Sequence, residues 1–178
     1  RYTTPENGEE PELAEDQAIV AIGNSLDNII TGNSASNSLV GGEGADELYG
    51  GEGDDTLVID LSDLVVDGGE GVDLILSEED VDLTDSVFVD IENVTLLDRY
   101  VDGELDNFNQ ALDVIGNGAD NLIIGNLADN SIDGGTGSDE LHGGGGDDTL
   151  FGGSSVFDDL GEISDEDTSD TLDGGEGN

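Results

Sequence analysis

The stretch Gly41-Gly42-Glu43-Gly44-Ala45-Asp46-Glu47-Leu48-Tyr49, followed at once by Gly50-Gly51-Glu52-Gly53-Asp54-Asp55-Thr56-Leu57-Val58, decides the fold. Both nonapeptides carry glycine at positions one, two and four, aspartate at six and leucine at eight. Glycine permits the positive φ angles of a tight turn. Positions seven to nine alternate outward, inward and outward, as a short strand does. Each nonapeptide therefore reads as one turn plus one strand, and two of them make a coil of 18 residues with a strand on either side.

Outward from this stretch the register persists. Gly23, Gly32, Gly41 and Gly50 are nine apart, Gly68 lies two further nines on, and Gly116, Gly125, Gly134, Gly143 and Gly152 keep the spacing. The eighth position is aliphatic throughout: Ile30, Leu39, Leu48, Leu57, Val66 and Ile75, then Ile123, Ile132, Leu141 and Leu150. Val66 belongs to Ile59 to Asp67, a unit without glycine, so the period survives where the turn sequence does not; Asp63 lies off the motif there. Residues Ile22 to Leu57 align without gaps on Ile115 to Leu150, 93 residues later, with 24 of 36 positions identical. The cassette is duplicated. Beyond it, Asp67-Gly68-Gly69-Glu70-Gly71 reappears as Asp173-Gly174-Gly175-Glu176-Gly177 at an offset of 106, which places 13 extra residues of the second copy within Ser154 to Asp170. A fixed period of this kind is the mark of a solenoid.

Composition limits what such a solenoid can do. Of 178 residues, 46 are Asp or Glu and two are Lys or Arg, for a formal net charge of -44. Nucleic-acid binding and polybasic membrane contact both need cationic groups, so neither partner fits. No apolar run approaches the roughly 18 residues of a membrane span, so no membrane insertion is expected. Cysteine is absent, which removes disulfides and zinc-thiolate sites. With 34% hydrophobic residues and 29 glycines the chain has the profile of a disordered one, unless something outside the sequence neutralises the acid. Stacked turns offer a place for that agent. A cation midway between carbonyl oxygens one strand spacing apart, about 4.8 Å, would sit about 2.4 Å from each, which suits calcium and is too long for magnesium.

The pattern Gly-Gly-x-Gly-x-Asp-x-(aliphatic)-x resembles the nonapeptide of the RTX, or haemolysin-type, calcium-binding repeats. Full matches begin at Gly41, Gly50, Gly68, Gly134 and Gly143. The resemblance implies an all-β, right-handed parallel β-roll, a β-helix or solenoid, with multiple Ca2+ ions bound in the turns between coils. It implies carboxylate ligands at Asp46, Asp55, Asp73, Asp139 and Asp148. Turn carbonyls would complete the shells: Gly41, Gly42, Glu43 and Gly44; Gly50, Gly51, Glu52 and Gly53; Gly68, Gly69, Glu70 and Gly71; Gly134, Gly135, Thr136 and Gly137; Gly143, Gly144, Gly145 and Gly146. Only the turns at Gly50 and Gly68 form a fully matching pair, so Asp55 with Asp73 is the foremost site. The turns at Gly23, Gly32, Gly116 and Gly125 depart from the family by ending in Asn28, Asn37, Asn121 and Asn130. Two readings stand for these: neutral oxygen ligands in one-carboxylate sites, or an Asn ladder that holds the coil without metal.

Four segments are expected: an acidic linker or cap over 1–18, a first calcium-binding array over 19–76, an irregular connector over 77–114 and a second array over 115–178, truncated in its last repeat. The connector alternates like strands at Val81 and Leu83, Val87, Val89 and Ile91, and Val94 and Leu96. It reads as wider solenoid coils with Phe88 and Phe108 inside, or as a small separate β-sandwich. Catalysis is not expected: the lone histidine, His142, sits at an outward ninth position, and neither His-Glu-x-x-His nor Gly-x-Ser-x-Gly occurs. The third positions, among them Ser25, Ser34, Glu43 and Leu127, form no rank suited to ice.

Two functions stay in view. The resemblance implies export, by type I secretion, to the bacterial cell surface or medium. One reading is a structural or adhesive module of a surface protein, such as an S-layer, filament or adhesin, in contact with its own copies or with neighbouring repeats. The other is the calcium-binding C-terminal β-roll of a secreted protease, lipase or epimerase. The duplication favours the first, because tandem cassettes build length.

Overall fold

The computed structural model describes residues 17–98, 110–153 and 170–175, and the strand backbone at 100–101, 104–105, 156–157 and 163–164. All regular elements among these residues are strands. They group into two compact units, one taking the chain up to Ile75 together with Ser86–Ile91, the other taking Leu76–Asp85 and the chain from Glu92 onward.

The first unit contains β1 (Val20–Ile22), β2 (Ile29–Thr31), β3 (Ser38–Val40), β4 (Glu47–Glu52), β5 (Thr56–Ile59), β6 (Val65–Glu70) and the start of β7 (Leu74–Ser77), where the chain passes into the second. Odd and even strands part into two parallel sheets. One runs β1, β3, β5, β7, with Ala21 beside Leu39 and Leu39 beside Leu57. The other runs β2, β4, β6, with Ile30 beside Leu48 and Leu48 beside Val66. The register follows from period-two alternation: each strand sends its eighth-position residue inward, and slipping by one would turn every such side chain to solvent. Leu39, Leu48, Leu57, Val66 and Ile75 are fully buried. Each burial contributes about 1.5 to 3 kcal/mol, the main local reward against the entropy of so much ordered glycine.

The connector then feeds both units. β8 (Val81–Asp82) belongs to the second unit, β9 (Phe88–Val89) pairs parallel with β6 in the first, and β10 (Asn93–Leu96) opens a sheet of the second. Phe88 stands opposite Val66 on the inward column and is half-buried, whereas Phe108 lies outside the described residues. β11 (Tyr100–Val101) and β12 (Glu104–Leu105) pair antiparallel.

The second unit continues with β13 (Asp113–Ile115), β14 (Leu122–Ile124), β15 (Ser131–Asp133), β16 (Glu140–His142), β17 (Thr149–Phe151), β18 (Val156–Phe157), β19 (Ile163–Ser164) and β20 (Thr171–Asp173). Its two parallel sheets run β10, β14, β16, β20 and β8, β13, β15, β17. Val94, Ile123 and Leu141 form one buried column, and Val81, Val114 and Ile132 the other. Coils that include connector residues are wider: 29 residues separate Asn93 from the Leu122 N–H it accepts, and 33 separate Asp80 from Asp113, against 18 between Asn28 and Asp46. This is an all-β parallel solenoid, as the nonapeptide register predicts.

Position two of the glycine turns shows why no other residue serves there. Gly69 has φ +96°, and a Cβ on it would collide with the carbonyl oxygen of Gly51 in the coil before. Gly118 differs: its φ is not in the left-handed region, and a Cβ would meet only Thr136 Oγ1 at 3.5 Å. Gly69→Ala should therefore cost about 2 kcal/mol or more and Gly118→Ala less than about 0.5 kcal/mol, compared by urea unfolding in one buffer. Equal effects would contradict the stacking of these turns.

Candidate metal centre

The sixth-position aspartates form vertical ladders. Asp46 Oδ1 accepts the Asn28 N–H at 2.7 Å, Asp55 that of Asn37 at 2.6 Å, and Asp73 that of Asp55 at 2.7 Å. In the second unit Asp139 accepts from Asn121 at 2.9 Å and Asp148 from Asn130 at 2.8 Å. Every partner lies 18 residues back, one coil away. The second carboxylate oxygen, Oδ2, rests on the first glycine of its own turn, Gly41, Gly50, Gly68, Gly134 or Gly143, where a Cβ would overlap it. Position one is glycine because the carboxylate fills its side-chain space.

This geometry leaves a specific electrostatic demand. Oδ2 of Asp46, Asp55 and Asp148 is buried with no hydrogen-bond partner. Buried polar atoms are nearly always satisfied, and an ionised oxygen without a partner is expensive. Burial accordingly pushes the Asp55 carboxyl above its ordinary value, against the opposing pull of the Asn37 backbone and side-chain hydrogen bonds. Either a proton or a cation must answer such an atom. Among the described residues no three acidic or histidine side chains converge on one point, so a cation here would draw most of its ligands from backbone carbonyls.

The turns supply those oxygens. Glycines at positions two and four, for example Gly42, Gly44, Gly51 and Gly53, have φ between +98° and +127°. Carbonyls of the coil before approach them closely; a Cβ on Gly42 would lie 2.7 Å from the Asn24 oxygen. Glu43, Glu52, Glu70 and Thr136 are exposed at position three, so their main chains, not their side chains, belong to the turn core. Hard oxygens from carbonyls plus one or two carboxylates are a donor set for calcium. The residues fit that ion.

The Asn-ended turns satisfy themselves. Asn28, Asn121 and Asn130 each accept, through Oδ1, the N–H four residues back in their own turn, at 2.8 to 3.0 Å. The amide nitrogens donate too: Asn121 to the Glu92 carbonyl at 2.6 Å, Asn130 to that of Leu112 at 3.0 Å, and Asn37 to Asp55 Oδ1 at 2.9 Å. A neutral amide with both ends engaged makes no demand for a cation. Both ends are engaged in this way at Asn37, Asn121 and Asn130.

One ladder member escapes a motif search. Asp63, one place off register, is 7% exposed; it accepts the N–H groups of Asp46 at 3.3 Å and Asp60 at 3.1 Å. The extra residue is absorbed by Leu64, whose N–H shares the Asp46 carbonyl with that of Val65 while its side chain turns outward. Burial raises the Asp63 carboxyl to about 6. Asp63 thus stands inside the ladder, contrary to its sequence position, because the chain bulges. Asp170 also joins the ladder, accepting the Asp139 N–H at 2.9 Å across 31 residues. A separate outer ladder uses position five: Asp27, Asp54, Asp120 and Asp129 accept N–H groups 18 residues ahead, at 2.7 to 3.0 Å. His142 lies on β16 with Nε2 2.9 Å from Glu140 Oε1 and Nδ1 3.9 Å from Asp173 Oδ2.

Fold and site together define a parallel β-solenoid whose stacked turns are built to take cations. The family model of the RTX calcium-binding nonapeptide repeat matches the chain in four copies, over residues 22–57, 124–155 and 163–178. The chain carries RTX calcium-binding nonapeptide repeats, a structural calcium-binding fold that occurs in secreted bacterial proteins. No curated protein and no solved structure matches it.

Asp63→Ala should lower stability by about 2 to 4 kcal/mol by stranding two N–H groups, whereas the exposed Glu78→Ala should change it by less than about 0.5 kcal/mol. Denaturant unfolding at fixed calcium compares them; a neutral Asp63→Ala would remove it from the ladder.

Proposed function

We propose that the chain is a calcium-dependent structural or adhesive module of a secreted bacterial surface protein, such as an S-layer, filament or adhesin, and that it folds on binding extracellular Ca2+. The observation that carries the calcium step is the set of buried, unpartnered Oδ2 atoms of Asp46, Asp55 and Asp148 beside carbonyl-rich turns. Asp46, Asp55, Asp73, Asp139 and Asp148 hold the ions through Oδ2, and carbonyls of the glycine turns complete the shells. Calcium supplies the positive charge that lets these carboxylates remain ionised while buried. Oδ1 keeps its hydrogen bond to the coil before, so each ligand is oriented before the ion arrives.

The surface role is supported by the duplication of Ile22–Leu57 as Ile115–Leu150. Repetition extends a rod, whereas a catalytic partner gains nothing from a second copy. Where calcium is scarce, repulsion among the acids and the entropy of the glycines keep the chain unfolded; near-millimolar calcium drives it to fold, because binding free energy is folding free energy.

Far-ultraviolet circular dichroism in EDTA, in magnesium and in calcium tests this. Strand signal should appear with calcium and stay weak with equimolar magnesium. Asp55→Ala should raise the calcium concentration at the folding midpoint by several-fold. Strand signal that survives chelation would sink the proposal.

A further inference from the structure

Charge is not spread evenly over the outward faces of the strands. In the first unit the sheet of β1, β3, β5 and β7 turns outward Val20 and Ile22, Ser38 and Val40, Thr56 and Val58, and Leu74, the seventh and ninth positions of every second repeat. None of these is charged. Each of the other three sheets turns at least two carboxylates outward: Glu47 and Asp67 on β4 and β6; Glu140 and Asp173 on β16 and β20; Asp82, Asp113 and Asp133 on β8, β13 and β15. In a chain with 46 acids among 178 residues, a sheet face without one is a departure that asks for a cause.

Folding is not that cause. Counted 93 residues on, the places of Val20 and Val40 are taken by Asp113 and Asp133, whereas Ile22, Ser38 and Thr56 recur as Ile115, Ser131 and Thr149. Asp113 and Asp133 stand on paired parallel strands whose inward residues, Val114 and Ile132, are buried. A carboxylate at these outward places is thus compatible with the solenoid. The first unit instead leaves Val20 45% and Ile22 60% exposed, with Ser38, Val40, Thr56, Val58 and Leu74 part-exposed beside them.

Charge decides what suits such a face. A cationic partner gains most at the carboxylate-bearing faces, whereas a partner that is itself strongly anionic is repelled least at this one. A second copy of the chain is an anionic partner of that kind. It also brings the same uncharged face, so a two-fold contact of face on face is self-complementary. Short β-branched and hydroxyl side chains suit the aligned packing of two sheets about 10 Å apart. Area sets the strength. Four strands about 4.8 Å apart, each of three residues at about 3.3 Å, make a patch of roughly 19 by 10 Å, well under the roughly 800 Å² that each partner gives to a standard interface. The contact is weak between free molecules and becomes effective where copies are held side by side, because tethering raises their effective concentration.

We propose that the outward face of β1, β3, β5 and β7 is a self-association surface, through which the first units of two copies pack face to face about a two-fold axis. The proposal rests on the surface-module reading above and names the face by which one module meets the next.

Sedimentation equilibrium of the full chain in calcium, over a rising series of protein concentrations at low and at high sodium chloride, tests it, with circular dichroism as the check on folding. A reversible monomer–dimer equilibrium is expected. It should strengthen several-fold at high salt, since salt screens the repulsion between two anionic molecules and leaves an apolar contact intact. Val40→Asp copies the residue found at Asp133, so it should retain the strand signal; it opposes like charges across the contact and should weaken the dimer by about tenfold or more. Thr31→Asp adds the same charge to the outward face of β2 and should change dimerisation by less than about twofold. A folded chain that stays monomeric at every concentration and salt overturns this proposal alone and leaves the face to a different occupant. A dimer that salt dissolves, or one that Val40→Asp and Thr31→Asp weaken equally, overturns it too. A chain without strand signal in calcium overturns the calcium reading and this proposal together.

Discussion

One hydrogen bond governs this molecule: the Oδ1 of a ladder aspartate accepting the backbone N–H of the coil before. It fixes the distance between coils, orients the turn and, by repetition, stacks aspartates into columns. Asp55 shows both halves of the link, donating its N–H to Asp73 and accepting that of Asn37. The contact that holds the coils together also concentrates like charge. Two carboxylates one strand spacing apart, about 4.8 Å, repel by about 3.5 kcal/mol at an effective dielectric of about 20. A divalent cation between them reverses the sign. Structure and ion dependence therefore have one origin, and a variant that relieved the repulsion by removing the carboxylate would also remove the tie.

The fold was legible because its determinants recur at fixed intervals. Glycine at position one, aliphatic at position eight and the nine-residue step predict the parallel sheets and the buried column through Leu39, Leu57 and Ile75. What escaped the motif did so for a definite reason. A motif counts residues, whereas the ladder counts coils. Asp63 is displaced by one residue and reaches its rung because Leu64 bulges; Asp170 stands 13 residues beyond the regular spacing and still reaches its rung. The outer ladder of Asp27, Asp54, Asp120 and Asp129 is periodic, but acids are so abundant that its period does not stand out from the background.

That outer ladder also divides the large negative charge into classes with different physics. Inner aspartates are buried, and their charge asks for an ion. Outer-ladder aspartates are exposed and spend one oxygen on a backbone N–H, which ties neighbouring coils at a point where water screens the charge. A third class contacts only the surface: Glu47 accepts the Tyr49 hydroxyl at 2.9 Å, which raises the phenol's affinity for its proton, and Glu140 pairs with His142. Ions held in the turns would neutralise the first class alone. The remaining acid keeps the folded chain strongly anionic, a property suited to calcium-rich surroundings and opposed to unspecific collapse of one molecule on another.

Because the ladder counts coils, the constraint on sequence is narrow. A regular coil hangs from its predecessor by an aspartate and sends an aliphatic residue shortly after it into the core, as Asp63 with Val66 and Asp73 with Ile75 show. Between those two points the chain is free to shorten to a glycine turn, bulge by one residue, or leave on a long excursion. Glycine is required where the turn packs against its neighbour, as at Gly69 over Gly51, and where the ladder carboxylate fills its side-chain space, as at Gly50 under Asp55. The cost of departing from the motif is thus local: a bulge forfeits turn carbonyls and with them part of an ion shell, while the rung survives. A solenoid built on such a rule keeps its register where the turn sequence changes, as the Asn-ended turns and the Asp63 turn of this chain show.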